Sequence, residues 1–212
     1  PDGVVTHAHS DHLRPRTHMT PATAEVMHAR TGSRKAQLHG YREPFTVRGI
    51  EVEFYDAGHV IGSAMVAVDG GRVLYTGDFT PYGPITAGRA EPQRCETLVI
   101  EATYGKPEQV LPPRQRVLRD LQGWMLTVAA NGGGIVGAYT LGKAQEVVAA
   151  ANAAGLRPAV SDEVGEVCNS LETSVRAAVL QAGKEMQANM ESLERRMELS
   201  ENAHRDKYAA AM

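Results

Sequence analysis

Between His7 and His12 the chain reads His-Ala-His-Ser-Asp-His, three imidazoles and a carboxylate within six residues. Such groups do not pack as apolar core, and borderline divalent ions such as zinc take nitrogen with some oxygen as ligands. The apolar lead-in Val4-Val5-Thr6 puts the run at a strand end. Alternate residues of an extended segment project to one side, so His7 and His9 can grip one ion; after a turn, Asp11 and His12 can face a second. Two further residues continue the pattern. His59 lies in Asp56-Ala57-Gly58-His59-Val60-Ile61-Gly62-Ser63-Ala64, where flanking glycines let backbone come close to an ion. Asp78 lies in Tyr75-Thr76-Gly77-Asp78-Phe79. Both follow predicted strands, and loops beyond apolar strands are where rigid scaffolds present sites.

Short strands with turn punctuation must carry these loops. Ile50 to Tyr55, Ser63 to Val68, Arg72 to Tyr75 and Thr97 to Glu101 read as strands, with Gly70-Gly71 as a hairpin turn. Thr20 as N-cap, Pro21 at the first helical position and Gly32 as a stop predict a short helix over 22–30. From Pro113 to Ala130 the period changes: Val117, Leu118, Leu121, Trp124, Met125 and Val128 recur at amphipathic-helix spacing, ended by Asn131-Gly132-Gly133. Gly134 to Ala138 reads as a buried strand, Lys143 to Ala154 as a helix stopped by Gly155, and Pro158 to Val160 as another strand. Such alternation implies parallel pairing through crossover helices. Over 169–212, apolar residues from Leu171 to Met197 recur every three or four positions, predicting a long amphipathic helix. Its 171–197 stripe suits a helical partner or a homo-oligomer.

With 212 residues the chain is one domain or one and a half. A formal charge of -3 predicts no global attraction to nucleic acid, so any grip on a polyanion must be local. Cys95 and Cys168 form no CxxC pair, which argues against a disulfide framework or a cysteine zinc cage and fits a reduced, cytoplasmic setting. No apolar run approaches the ~20 residues that span a bilayer, so no membrane partner is expected. The chain starts at Pro1 and runs directly into the metal motif, as a fragment lacking upstream strands would.

Taken in order, His-Ala-His-Ser-Asp-His, Ala57 to Ala64 and Tyr75 to Phe79 resemble the metal-binding motifs of the metallo-β-lactamase superfamily. The resemblance implies an α/β (α+β) fold, an αββα sandwich truncated at its N-terminus. In it His7, His9 and His59 hold one zinc, Asp11 and His12 a second, and Asp78 bridges both. Leu98 to Gly105, with Glu101 in the acidic position, is similar to the motif that opens the β-CASP nucleases; Gly134 to Glu146, with Gly142-Lys143-Ala144-Gln145-Glu146, is similar to an element of their inserted domain. Within that group the chain looks most like archaeal and bacterial exonucleases related to messenger-RNA 3′-end processing factors. The resemblance covers residues 4 to about 168. It divides the chain into 1–105 (partial metallo-β-lactamase domain), 106–168 (start of a β-CASP domain) and 169–212 (helical tail). The family's two late histidines have no counterpart, His204 being in the helical tail without strand or glycine context.

The function implied is zinc-dependent hydrolysis of a phosphodiester in single-stranded RNA, or DNA. Two metals spread the phosphate's charge, and a water acidified toward pKa ~7 supplies hydroxide for in-line attack. Asp11 and Glu101 are the candidate catalytic carboxylates, Asp11 accepting a proton and Glu101 orienting a metal-bound histidine. Without the late histidines this piece is expected to be nearly inactive by itself. Two other classes stay open: a small-molecule hydrolase of thioesters or lactones, whose carbonyl the same ligands would polarise, and a scaffold subunit without turnover. His18, His28 and His39 lie outside the motifs, His28 reading as a polar surface residue on a helix. Gly132 to Gly134 read as a helix C-cap rather than a phosphate loop, since no GK[ST] follows. Arg14, Arg16, Arg30, Arg34 and Lys35 suit either a phosphate backbone or a solvated charged face.

Overall fold

The computed structural model describes residues 3–12, 14, 17–33 and 35–170. The predicted tail helix lies outside the described residues except for its first two positions, which close a helical stretch from 162 to 170; Arg16 and Arg34 lie outside them too.

Thr17–Met19 (β1) runs parallel to Ala36–Leu38 (β2), joined by the helix Pro21–Thr31 (α1). The helix starts and stops as its sequence predicts. Thr20 Oγ1 accepts the Thr23 N–H at 3.2 Å, and Gly32, at φ 70°, donates its N–H to His28 O. Val26 and Met27 are buried, and Met27 joins Val5 and Met19 in a cluster beneath the helix. β1 and β2 carry no sequence signal, because three-residue strands show no readable alternation.

Phe45–Val47 (β3), Ile50–Asp56 (β4), Ala64–Val68 (β5), Val73–Tyr75 (β6) and Thr97–Val99 (β7) form one sheet in that order. It is antiparallel through β6, and β7 pairs parallel to β6. Alternation sorts β5 onto both faces. Ala64 and Val66 pack with Val52 and Phe54 on one side, Met65 and Ala67 with Ala57 and Leu74 on the other. Phe54 is fully buried, which contributes about 2–3 kcal/mol of hydrophobic stabilisation. The β4–β5 register sets Asp56 opposite Ala64, so residues 57–63 form a loop at the sheet's end.

Arg114–Ala130 (α2) and Lys143–Ala153 (α3) contact each other, with Gln122 Nε2 donating to Ala150 O at 3.1 Å. Two predicted strands do not form. Residues 134–138 are irregular and exposed, Ile135 being 96% accessible, and 158–160 are irregular as well. A strand buried on both faces exists only between neighbours, and none of the described strands flanks these segments.

Candidate metal centre

His7, His9, His59 and Asp78 converge. Each offers one ligand atom, and these atoms all lie within 4.8 Å of one another. Asp78 Oδ2 stands 3.7 Å from His7 Nε2 and 3.6 Å from His59 Nε2, while His59 Nε2 stands 3.4 Å from His9 Nδ1. Four donors at about 2.1 Å from one tetrahedral ion would stand about 3.4 Å apart. His7 Nε2 is buried without a hydrogen-bond partner, and an orphaned buried ring nitrogen costs about 1–3 kcal/mol unless something accepts its lone pair. Three imidazoles and one carboxylate are a zinc-type donor set. The residues present fit such an ion.

Local hydrogen bonds hold each ligand. The Thr6 carbonyl accepts the Ala64 N–H at 2.7 Å, tying the first motif to β5. Thr6 Oγ1 lies 3.0 Å from His7 Nδ1; a proton on Nδ1 donated to that hydroxyl leaves the Nε2 lone pair for the ion. Arg30 donates to Ala8 O at 2.7 Å. The loop carrying His59 is pinned by fully buried Ser63, whose Oγ accepts the N–H groups of His59 at 3.0 Å and Val60 at 3.2 Å. Tyr41 Oη donates to Ser63 O, and the Thr20 and Thr23 hydroxyls donate to Gly62 O. Gly62 has φ 79°, and a Cβ there would lie 2.5 Å from Thr23 N, so only glycine fits.

Asp78 is presented by the turn after β6. Parallel pairing sets Tyr75 beside Val99, which brings Glu101 alongside that turn. Glu101 accepts the Phe79 N–H at 3.4 Å and both the N–H and the hydroxyl of Thr103. Glu101 thus grips the backbone next to Asp78, and its charge also acts on His59. Burial pushes its carboxyl up, but those hydrogen bonds and nearby His59 outweigh this and hold it below its ordinary value. His7 is lowered to about 2, by burial first and then by His12, His9 and His59. His59 is also lowered, by burial above all, against the pull of Asp78. Neutral imidazoles keep lone pairs available for an ion.

Asp11 and His12 stand beside the four-atom group and outside it. Asp11 Oδ2 lies 3.6 Å from His12 Nε2, and the His12 ring sits 4.2 Å from that of His7. His18 Nδ1 and His39 Nε2 lie 2.9 Å apart, with Phe45 stacked on His39; neither belongs to the metal group. His28 is half-buried, with an unpartnered buried Nδ1. Sequence reasoning overlooked the positioning roles of Ser63, Tyr41 and Thr23. Ser63 alone had a signal, as the hydroxyl that closes the glycine-flanked His59 motif. Cys95 and Cys168 are free thiols. Among the described residues no helix is long and apolar enough to cross a membrane.

No family model matches the chain. It is 33% identical over 153 residues to a protein of Opitutus terrae named probable DNA ligase, an alignment covering 68% of this chain and 15% of that one. It is 35% identical over 116 residues to an RNase J-like protein of Methanocaldococcus jannaschii, covering 52% and 28%. It is also 35% identical over 113 residues to cleavage and polyadenylation specificity factor subunit 3 of Dictyostelium discoideum, covering 51% and 14%. The chain thus spans 15%, 28% and 14% of these relatives' lengths. The last two names point to the metallo-β-lactamase/β-CASP nuclease family. A solved structure, of a protein of unknown function from Enterococcus faecalis V583, matches with a TM-score of 0.54 at 14% identity over 79% of this chain and 48% of that one. At that identity the likeness speaks for the fold, a mixed α/β architecture as the sequence predicts.

Proposed function

We propose that the chain carries the metal centre of a zinc-dependent phosphodiesterase of the β-CASP type, a hydrolytic nuclease acting on polynucleotide. The observation that carries this is the convergence of His7, His9, His59 and Asp78 around the unpartnered His7 Nε2. A divalent ion bound there supplies Lewis acidity toward a phosphoryl oxygen and lowers the pKa of water. His7, His9 and His59 serve as neutral nitrogen donors. Asp78 Oδ2, close to two of them, adds the negative charge that raises affinity for a dication. By the resemblance, Asp11 and His12 would hold a second ion, and Asp78 would be shared with the first. The Asp11 side chain is 77% exposed, and its role would be to accept a proton from the attacking water. Glu101 is a positioning residue: its grip on Phe79 fixes where the Asp78 carboxylate stands.

RNA is the first substrate reading, since two relatives are named for RNA processing. DNA is the second, because the longest of the three alignments is with a protein named as a DNA ligase. The test has two parts. Elemental analysis after dialysis against trace zinc should find one to two ions per chain; a ratio near zero in folded protein would sink the metal centre. Labelled single-stranded RNA and DNA and a thioester, each with and without chelator, should show slow chelator-sensitive cleavage of oligonucleotide. Thioester turnover with both oligonucleotides intact would overturn the nuclease reading in favour of a small-molecule hydrolase.

A further inference from the structure

An open cavity of about 510 Å³ lies against α3, lined by Gly137, Ala138, Tyr139, Lys143 and Val147. Two contacts join its wall to the metal centre. His9 Nε2 lies 3.3 Å from the carbonyl of Leu141, and Gly142 packs so close to the His59 loop that a Cβ on it would lie 2.7 Å from Val60 Cγ1. Lys143 follows immediately, and its ammonium acts on His59 electrostatically.

The groups around Lys143 are already engaged. Glu146 binds Arg114 and accepts the Ile85 N–H at 2.6 Å. Gln145 satisfies the start of the helix, accepting the Gly142 N–H at 2.7 Å and donating to Thr140 O at 2.9 Å. The Gly142 N–H, the Gln145 side chain and the Glu146 carboxylate are thus already engaged. Among the described residues no carboxylate pairs with exposed Lys143. On the same cavity stands Tyr139, 81% exposed, next to small Gly137 and Ala138, which leave its ring face clear. A lone cation beside a bare aromatic ring is the combination that grips single-stranded nucleic acid: charge on the phosphate, stacking on the base.

We propose that this cavity is the subsite for one nucleotide of a single-stranded polynucleotide adjacent to the metal centre, with Lys143 on its phosphate and Tyr139 stacked on its base. The proposal rests on the nuclease reading for its choice of ligand. RNA and DNA share the recognising groups, so both are probed.

The test is fluorescence anisotropy of labelled ten-nucleotide oligo-U and oligo-dT on the 212-residue chain in chelator, where cleavage cannot intrude. Lys143→Ala should weaken binding about 10- to 100-fold, as loss of a charge-assisted hydrogen bond does, and flatten the salt dependence by about 0.7 in slope. Lys143→Arg should retain binding. Tyr139→Ala should weaken it about 5-fold or more, with Tyr139→Phe restoring it, since stacking needs only the ring. Equal loss on both oligonucleotides means that the subsite reads phosphate and base ring alone; loss on one means that it also senses the sugar or the thymine methyl. The zinc stoichiometry of Lys143→Ala at saturating zinc should equal that of the parent chain. Unchanged affinity in Lys143→Ala or Tyr139→Ala, or no binding of either oligonucleotide by the parent chain, would overturn the subsite while leaving the metal centre standing. Normal binding in a chain that takes up no zinc would fail the nuclease reading and spare the subsite.

Discussion

Removing the Ser63 hydroxyl should loosen His59 without touching a metal ligand. In Ser63→Ala the N–H groups of His59 and Val60, now held at 3.0 and 3.2 Å, lose their acceptor, and Ser63 itself is fully buried. An unsatisfied buried donor costs about 1–3 kcal/mol, and the His59 N–H is only partly buried, so the total is about 2–4 kcal/mol. Part of this falls on global stability. The rest falls on the loop, which binding must then re-order; if half does, zinc affinity drops about 5- to 30-fold. Urea unfolding of the metal-free protein and competitive zinc titration measure the two parts separately. Lowered stability with unchanged zinc affinity would show that Ser63 is only core, and no change in either would refute the hydrogen-bond argument altogether.

Metal retention should vanish in His59→Ala and Asp78→Ala and persist in His28→Ala, because only the first two supply atoms to the four-atom group; equal zinc content in all three variants would mean the centre is misassigned. Gly62→Ala should cost several kcal/mol, about 2 or more, since the residue must take a left-handed φ with its Cβ against Thr23 N; a melting temperature within a degree or two of the parent's, about what 0.3 kcal/mol produces, would contradict the packing described. Two buried groups set opposing pH slopes in the metal-free protein. His7, lowered from 6.5 to about 2, leaves stability whole above pH 6.5 and erodes it as pH falls, by about 1.4 kcal/mol per unit. Asp56, raised by burial from 3.8 to about 6, contributes stability below pH 3.8 that is lost as pH rises through 6. Between about pH 4 and 6 Asp56 offsets the slope of His7, while His59, also lowered by burial, adds to the rise; Asp56→Asn should therefore steepen the rise by about 1.4 kcal/mol per unit. Urea midpoints across that window in parent and variant decide it, a flat profile in Asp56→Asn being the refuting one.

Much of the framework was legible in the chain itself, where the determining interactions are local. Thr20, Pro21 and Gly32 act within four residues of the helix ends they set, so α1 could be read almost to the residue. Alternation over Ile50 to Val68 and the Asp69-Gly70-Gly71 turn, all three at positive φ, declare a hairpin-type sheet by the same local rule. The three metal-motif loops were recognisable because His and Asp beside glycine at strand ends have few other uses. Residues 134–138 were misread because a buried strand is a statement about its neighbours, and the apolar run Ile135-Val136 says nothing of whether they are there. The resemblance already set His7, His9 and His59 apart from Asp11 and His12; the folded chain adds that those three and Asp78 bring their ligand atoms within 4.8 Å of one another, since which atoms come within reach of one ion is set by the register of β4 on β5 and of β6 beside β7. It also decided that Arg30 serves the Ala8 carbonyl and Glu101 the Phe79 N–H. Spacing along a chain carries residue type and periodicity; distances across 22 residues or more belong to packing, which closes those gaps by burying Phe54, Met65 and Val5 rather than by anything written near the ligands.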